Sequence, residues 1–139
     1  VAVDDQPLSR WNCDGVLCAT PTGSTAYAWS AGGPVVWPDV EALVVVPNNA
    51  HALFHRALVV SPGSVIGVQL LDVSPPAGLW CDGRRELPLE PGSRVIVRRG
   101  GEPVRLARFH LGSFTERLVA KFQLPVAGWR RSDYPEATR

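Results

Sequence analysis

The chain has 139 residues and a formal net charge of +1, with 45% hydrophobic and 19% charged residues. These values are typical of one soluble globular domain, and so small a net charge favours neither nucleic acid nor a membrane surface as the main partner. No apolar run approaches the roughly 18 residues that cross a bilayer, and no signal peptide is evident, so we expect a cytoplasmic protein.

The chain opens on an alternating strand over residues 1–3, followed by a turn and a second strand over residues 7–11. It begins at Val1 and contains no Met, so we expect further sequence upstream. The hairpin leads to Asp14-Gly15, itself a turn sequence. The cysteines are odd in number and lack C-x-x-C spacing, which predicts reduced core thiols rather than disulfides or a zinc ribbon; they are Cys13, Cys18 and Cys81.

A buried strand over residues 16–19, a hydroxyl-rich turn and a short helix come next. Ser24 is the expected N-cap of a helix over residues 25–31, which Gly32-Gly33-Pro34 ends. No acidic residue lies between Asp14 and Asp39 to complete a capping box, so the helix start is free to receive an acceptor from a ligand. From the spacing alone, an ordinary capped turn with no ligand is as good an interpretation as a ligand-binding helix start.

The residues of this helix predict the kind of ligand. Tyr27 and Ser30 are three apart and share one face. No lysine follows Gly23, so the turn is not a P-loop, and residues 11–55 contain no Lys or Arg. A base, a ribose or a nicotinamide therefore suits the segment better than a triphosphate. Three small side chains would let a flat group approach closely, namely Ala26, Ala28 and Ala31.

Residues 42–46 form a strand without a polar side chain, which predicts that protein covers both of its faces. We expect Pro47-Asn48-Asn49 to end this strand. His51 and His55 are four apart and could share a helix face, but no H-E-x-x-H arrangement or third ligand accompanies them. The pattern predicts no metal site, and His51 is expected to be a structural residue or part of a pocket rim.

The second half of the chain alternates strands and turns, which predicts a mainly β fold built as an antiparallel β-sandwich. Asp82-Gly83 favours a type I′ hairpin turn. Ser113 and Glu116 predict a capping box for a C-terminal helix over residues 114–122, and residues 130–139 are expected to be a flexible tail. The predicted strands cover residues 57–60, 64–73, 78–81, 85–89, 93–99 and 104–109.

Several motifs resemble the signature of the NAD kinases. The resemblance rests on Asp14-Gly15, on Thr-Pro-Thr-Gly-Ser-Thr-Ala-Tyr over residues 20–27 and on Ser-Ala-Gly-Gly-Pro over residues 30–34. It covers roughly residues 1–129 and is closest to the actinobacterial form, which ends in a helix and a segment like residues 124–129. Further matching segments follow in the family's order, namely Val46-Pro47, His51-Ala52-Leu53, residues 56–60 and Cys81-Asp82-Gly83.

The resemblance implies that residues 1–129 are the all-β, NAD-binding C-terminal domain of an NAD kinase. Members of the family phosphorylate the adenosine 2′-hydroxyl of NAD with ATP or polyphosphate to make NADP. Their catalytic Asp lies in a Gly-Gly-Asp-Gly loop of an N-terminal α/β domain, followed by an Asn-Glu pair, and neither motif occurs here. We therefore expect no catalytic residue in this chain, Mg²⁺ with ATP bound by the complete enzyme, and a homodimer or homotetramer.

The family's NAD contacts carry over to matching positions of this chain. Asp14 would orient the nucleoside, and Asn12 stands where many members have a basic residue, which removes a charged contact from that side. Two alternatives stay open: the C-terminal domain of a lipid kinase of the diacylglycerol type, and a non-catalytic module that binds a polyanion through Arg-rich strands. The predicted NAD-binding residues are Asn12, Asp14, Thr20, Thr22, Ser24, Thr25, Ala26, Tyr27, Ser30 and, more weakly, Arg84.

Overall fold

The computed structural model describes residues 1–105, 107, 109 and 112–126. The chain divides into two compact units, Val1–Pro103 and Val104–Arg139. The first unit carries the strands and the short helix, and the second carries the C-terminal helix. None of the helices in the described ranges is long and apolar enough to cross a membrane.

Three antiparallel sheets build the first unit, which confirms the mainly β prediction. The sheet orders are β2-β1-β6-β9, β3-β4-β5 and β7-β8. The helices are α1, Tyr27–Ser30, and α2, Phe114–Phe122, and a 3₁₀ turn covers Thr22–Thr25. The strands are β1 Ala2–Val3, β2 Gln6–Pro7, β3 Gly15–Ala19, β4 Leu43–Asn48, β5 Leu58–Val60, β6 Ile66–Gln69, β7 Ala77–Cys81, β8 Arg85–Leu89 and β9 Arg94–Val97.

Strand β4 is the centre of the fold, and both of its faces are covered as predicted. Val44 and Val46 pack with Ala28 of α1 on one face, while Leu43 and Val45 pack with Ile66 of β6 on the other. Alternate residues of a strand point to opposite faces, so one unbroken apolar run serves two layers. The second cluster joins the β3-β4-β5 sheet to the β2-β1-β6-β9 sheet, which makes the predicted sandwich.

The predicted end of this strand is wrong, because β4 continues through Pro47 to Asn48. Asp14 donates its backbone N–H to the carbonyl of Asn48 (3.0 Å) on the β3 side. The backbone of Pro47, one residue earlier, therefore faces the opposite side, where pairing with β5 has already ended at Val45. A proline without an N–H is tolerated at such an unpaired edge.

The turn before α1 also differs from its prediction, because Ser24 does not cap the helix. The segment divides into the 3₁₀ turn and α1 at Ala26, whose φ of −98° and ψ of −129° are not helical, and neither piece has a side-chain cap. The predicted stop is confirmed, since α1 ends at Ser30 before Gly32, whose φ is +86°. Gly33 is buried and brings its backbone N–H to the Ala28 carbonyl at 2.8 Å.

The hairpin turns follow their sequence signals. Asp82 and Gly83 have φ of 53° and 68°, and Arg84 donates its N–H to the Cys81 carbonyl at 3.2 Å, as a type I′ turn requires. Strand β6 is shorter than predicted, because Ser74 donates to the Leu71 carbonyl (2.9 Å) in a turn.

In the second unit, the predicted capping box of α2 is confirmed. Ser113 Oγ accepts from the Glu116 backbone (3.1 Å), and Glu116 Oε2 accepts from the Ser113 backbone (2.9 Å). Of the strand predicted over residues 104–109, only residues 104, 105, 107 and 109 are described, and none of these is in a strand. The predicted tail, residues 130–139, lies outside the described residues.

Candidate functional site

Asp14 lies just before β3, and its backbone N–H bonds to the carbonyl of Asn48 at the end of β4. Its side chain is exposed, and Asn49 Nδ2 donates to Asp14 Oδ2 at 2.8 Å. Beyond it, the His51 backbone N–H donates to the Asn12 carbonyl at 2.8 Å, so Asn12 and His51 form an isolated bridge. The residues that lead into β3 are thereby hydrogen-bonded to the residues that follow β4.

Tyr27 is the first residue of α1 and is 60% exposed. Asn48 Nδ2 donates to its hydroxyl at 3.2 Å, across the gap between helix and strand. Ala26, just before α1, and Ser30, its last residue, are exposed as well, so both ends of this short helix are accessible to a ligand. Ala28 is different: it is 3% exposed and belongs to the core, so its predicted place in a ligand wall is wrong.

A cavity of about 440 Å³ opens beside these groups. Its volume lies in the range of small-molecule pockets, which is roughly 300–1,000 Å³. Asn49, the partner of Asp14, is in its wall, and Pro47 and Asn49 flank Asn48, the partner of Tyr27. None of the described residues that line it is a Lys or an Arg, so it suits an uncharged part of a ligand. The lining consists of Ala31, Pro47, Asn49, Ala50, His51 and His55.

The hydroxyl-bearing residues before α1 occupy different environments. Ser24 is completely buried; its hydroxyl donates to the Pro21 carbonyl (2.6 Å) and accepts from the Val36 N–H (3.0 Å). It therefore ties the turn to the segment after the helix and is not accessible to a ligand. Thr20 and Thr22 are exposed, and Thr25 is half-buried.

Arg84 is exposed in the turn between β7 and β8, which form a two-stranded sheet of their own. No hydrogen bond found among the described residues joins it to Asp14, Tyr27 or the cavity, so its role stays a prediction. The neighbouring Arg85 pairs with Asp82 at 3.3 Å, and Arg99 pairs with Glu41 at 3.0 Å. Acidic partners of this kind reduce the positive charge available to a polyanion.

The cysteine beside the site is not activated. Burial, followed by the charge of the adjacent Asp14, raises the pKa of Cys13, although a backbone hydrogen bond from Gly15 opposes the shift. Cys18 lies within β3 and keeps some exposed surface, yet the surrounding protein desolvates its sulfur and raises its pKa to about 11. Both thiols therefore stay protonated at neutral pH. The prediction of core thiols is nevertheless wrong, because Cys13 and Cys81 are only half-buried and Cys18 is exposed.

The described residues do not group into a metal site. No three His, Cys, Asp or Glu side chains are grouped to hold an ion within the part of the chain that the structure describes. His51 and His55 line the same cavity, but residues 50–56 do not form the helix that would have aligned them. His55 Nδ1 is instead within 2.9 Å of the Ala52 carbonyl.

Comparison with known proteins identifies the class to which this fold and site belong. The family model of the ATP-NAD kinase C-terminal domain matches residues 1–109. The chain therefore belongs to the NAD kinase family, and it corresponds to the C-terminal domain of those proteins.

Curated relatives agree with this assignment. NAD kinase 2 of Streptomyces coelicolor is 64% identical over 128 residues, which are 92% of this chain and 42% of the relative. The NAD kinase of Thermobifida fusca is 62% identical over 128 residues, or 92% of this chain and 39% of the relative. The chain thus spans about two fifths of the length of these relatives.

Two solved structures are also similar. Yeast NADH kinase in complex with NADH is 36% identical with a TM-score of 0.64, over 69% of this chain and 28% of that one. An NAD kinase from Archaeoglobus fulgidus in complex with ATP is 31% identical with the same TM-score of 0.64, over 72% and 38%. These matches support the NAD kinase interpretation over the lipid kinase and polyanion-binding alternatives.

The contacts of Asn48 and Asn49 could not be predicted from the sequence, where these residues indicated only the end of a strand. The structure shows that they contact Tyr27 and Asp14, residues that lie 21 and 35 positions earlier in the chain. The local signal was limited to the tolerance of Asn for positive φ, which Asn49 adopts at 50°. Nothing in the spacing indicated the partners of these side chains.

Proposed function

We propose that this chain is the NAD-holding part of an NAD kinase, which transfers a phosphoryl group to the adenosine 2′-hydroxyl of NAD and so makes NADP. The observation that carries the proposal is that two signature residues are hydrogen-bonded to adjacent asparagines: Asp14 to Asn49 and Tyr27 to Asn48. Asn49 also lines the 440 Å³ cavity. Within the proposal, this cavity receives an uncharged part of the dinucleotide.

The proposed division of labour follows from the chemistry of the site. Phosphoryl transfer needs an aligned acceptor, a metal-bound donor and stabilisation of the spreading charge. A carboxylate such as Asp14 accepts hydrogen bonds from ribose hydroxyls or an amide, and a tyrosine such as Tyr27 offers a hydroxyl and a ring face. These groups are suited to holding an acceptor still, which is the task we assign to them.

We assign the remaining tasks to other parts of the longer protein. The described residues offer no cluster for Mg²⁺ and no Lys or Arg in the cavity wall. We therefore propose that an N-terminal α/β domain supplies the catalytic base and binds Mg²⁺ with ATP, or polyphosphate, as the donor. The NAD kinase structure solved with ATP supports ATP as a donor in the family. On this proposal residues 1–129 alone are inactive.

The predicted contacts extend around the turn before α1. We propose that Thr20, Thr22 and Thr25 face the adenosine and phosphate side of NAD together with Ala26 and Ser30, and that Asn12 and Arg84 are peripheral. Ser24 does not contact NAD on this proposal; its buried hydroxyl holds the turn in place through Pro21 and Val36. The complete enzyme is proposed to be a cytoplasmic homodimer or homotetramer, which size-exclusion chromatography with light scattering would test.

The test is an NAD titration of the full-length protein carrying Tyr27→Ala, with Tyr27→Phe as the matched variant that keeps the ring. We expect Tyr27→Ala to weaken NAD binding and to slow formation of NADP more than Tyr27→Phe does. Affinity and turnover equal to wild type in both variants would move the pocket elsewhere. Diacylglycerol assayed beside NAD as the acceptor tests the lipid kinase alternative, for which we expect no phosphorylation.

A further inference from the structure

Two consecutive asparagines at the end of β4 hold two residues that lie far from them in the chain. Asn48 Nδ2 donates to the Tyr27 hydroxyl at 3.2 Å, and Asn49 Nδ2 donates to Asp14 Oδ2 at 2.8 Å. One dipeptide is thus bonded to a residue of α1 and to the residue that precedes β3.

We propose that Asn48 and Asn49 are positioning residues for the NAD site: they orient the Tyr27 hydroxyl and the Asp14 carboxylate without needing to touch the chemistry themselves. The proposal rests on the NAD-holding function proposed above. It goes beyond that function, because it assigns the geometry of the site to residues outside its signature motifs.

The chemistry of the Asn49 contact determines its direction. A carboxylate only accepts hydrogen bonds, so the amide must present its NH₂ group to Asp14. This donor is uncharged and occupies only Oδ2; the structure records no partner for Oδ1 among the residues it describes. Asp14 is thereby held in place while its second oxygen and its negative charge stay available to a hydroxyl or amide of a ligand.

The Asn48 contact acts on Tyr27 in a complementary way. The hydroxyl of Tyr27 accepts from Asn48, so its own proton is left to donate elsewhere. Tyr27 is 60% exposed, and the bond from Asn48 restrains a ring that would otherwise be free to change rotamer. A ligand then meets a prepared donor at Tyr27 and a prepared acceptor at Asp14, so less ordering is needed on binding.

The backbone explains how neighbouring side chains reach both partners. Asn48 is the last residue of β4, and the Asp14 N–H bonds to its carbonyl at 3.0 Å. Asn49 then adopts a φ of 50°, in the left-handed region. In the β3–β4 register Gly15 lies opposite Asn48, so the residues one step further along, Asp14 and Asn49, lie opposite each other on the other face of the sheet, and the chain leaves β4 at Asn49 through the left-handed region. Asparagine is among the few residues that enter this region readily and also carry an amide donor.

The test is a pair of double-mutant cycles on the full-length protein, with the dissociation constant of NAD measured by calorimetry. Asn49→Gly keeps the positive φ and removes only the amide, and it is combined with Asp14→Ala. Asn48→Ala is combined with Tyr27→Phe. Asp5→Gly is the matched control, because Asp5 also has a positive φ (60°) but lies in the β1–β2 turn.

We expect each asparagine substitution to weaken NAD binding by roughly three- to tenfold, the worth of one hydrogen bond. Added to Asp14→Ala, Asn49→Gly has no further effect, and added to Tyr27→Phe, Asn48→Ala has none, because each amide acts through its partner. Asp5→Gly leaves the dissociation constant unchanged.

Two results would overturn the proposal: asparagine variants that bind NAD as wild type does, or effects that multiply in the double variants. An Asp14→Ala protein with unchanged NAD affinity would overturn it too, since nothing would remain for Asn49 to position. Wild-type phosphorylation of NAD is measured on the same preparation. If the wild-type protein does not phosphorylate NAD, the proposed function is refuted. If it does, and the asparagine variants bind NAD as wild type does, only the positioning role is refuted.

Discussion

Ser24→Ala tests whether the hydroxyl-rich turn is held together from inside. The Ser24 side chain is completely buried and bridges the Pro21 carbonyl and the Val36 N–H. Without the hydroxyl, the Pro21 carbonyl still accepts a hydrogen bond from the backbone N–H of residue 24 (3.1 Å). The N–H of Val36, however, loses the acceptor that the hydroxyl provided. A buried donor left unsatisfied costs about 1–3 kcal/mol, so we expect a loss of about 2 kcal/mol in the stability of this unit.

The assay is hydrogen exchange of the full-length protein, followed in peptides that cover residues 20–37, together with thermal unfolding. Thr22→Ala is the matched control, because Thr22 lies in the same turn but is exposed, and we expect it to change stability by less than about 0.5 kcal/mol. Since a buried hydroxyl cannot contact NAD, Ser24→Ala should lose the same stability with and without saturating NAD.

Two results would refute this reasoning. One is a Ser24→Ala protein with exchange and melting equal to those of Thr22→Ala, which would mean that the Val36 N–H finds another acceptor at no cost. The other is a loss that appears only when NAD is bound, which would indicate that the hydroxyl contacts the ligand after all.

Three further experiments test other parts of the structure. Gly33→Ala places a Cβ 2.7 Å from the Ala28 carbonyl oxygen and 2.9 Å from a Val46 methyl, so we expect about 2–3 kcal/mol of destabilisation in thermal melts; Gly32→Ala, with a φ of +86° but no atom within 4 Å, should cost only about 1 kcal/mol. The thiol of Cys18, with its pKa raised to about 11, should be alkylated at pH 8 roughly tenfold more slowly in the native than in the urea-unfolded protein. Its rate, followed by peptide mass spectrometry, should still rise with pH above 9, because protonation persists up to the raised pKa; equal native and unfolded rates would contradict the shift. Ser113→Ala removes half of the α2 capping box and should cost that helix about 1 kcal/mol, visible as faster amide exchange in its first turn and absent if the cap is unimportant.

Part of the fold could be predicted from the sequence because its causes are local. The capping box of α2 and the positive φ values at Asp82 and Gly83 follow from a few neighbouring residues. The double-sided burial of β4 follows from an apolar run in which neither face carries a polar side chain. The hydrophobic pattern of a strand predicts how many of its faces are buried, but it does not predict which elements cover them.

The candidate site divides in the same way. The signature residues Asp14 and Tyr27 were found by their motif, since type and spacing are visible in the chain. The environment of Ser24 could not be predicted, because a serine before a helix can be either an exposed N-cap or, as here, a buried residue whose hydroxyl bridges two backbone groups. Ala28 was likewise placed in a ligand wall although its face packs on Val44 and Val46.

By itself, then, the sequence determined the family, the strand-rich architecture and the residues that carry its signature, because motif, periodicity and turn chemistry are properties of neighbouring positions. Only the tertiary structure decided that Asn48 and Asn49 hold Tyr27 and Asp14, and that a cavity opens next to them. Those contacts depend on how β3, β4 and α1 pack together, and hydrogen bonds between distant residues exist only after that packing has brought them within 3.2 Å of each other.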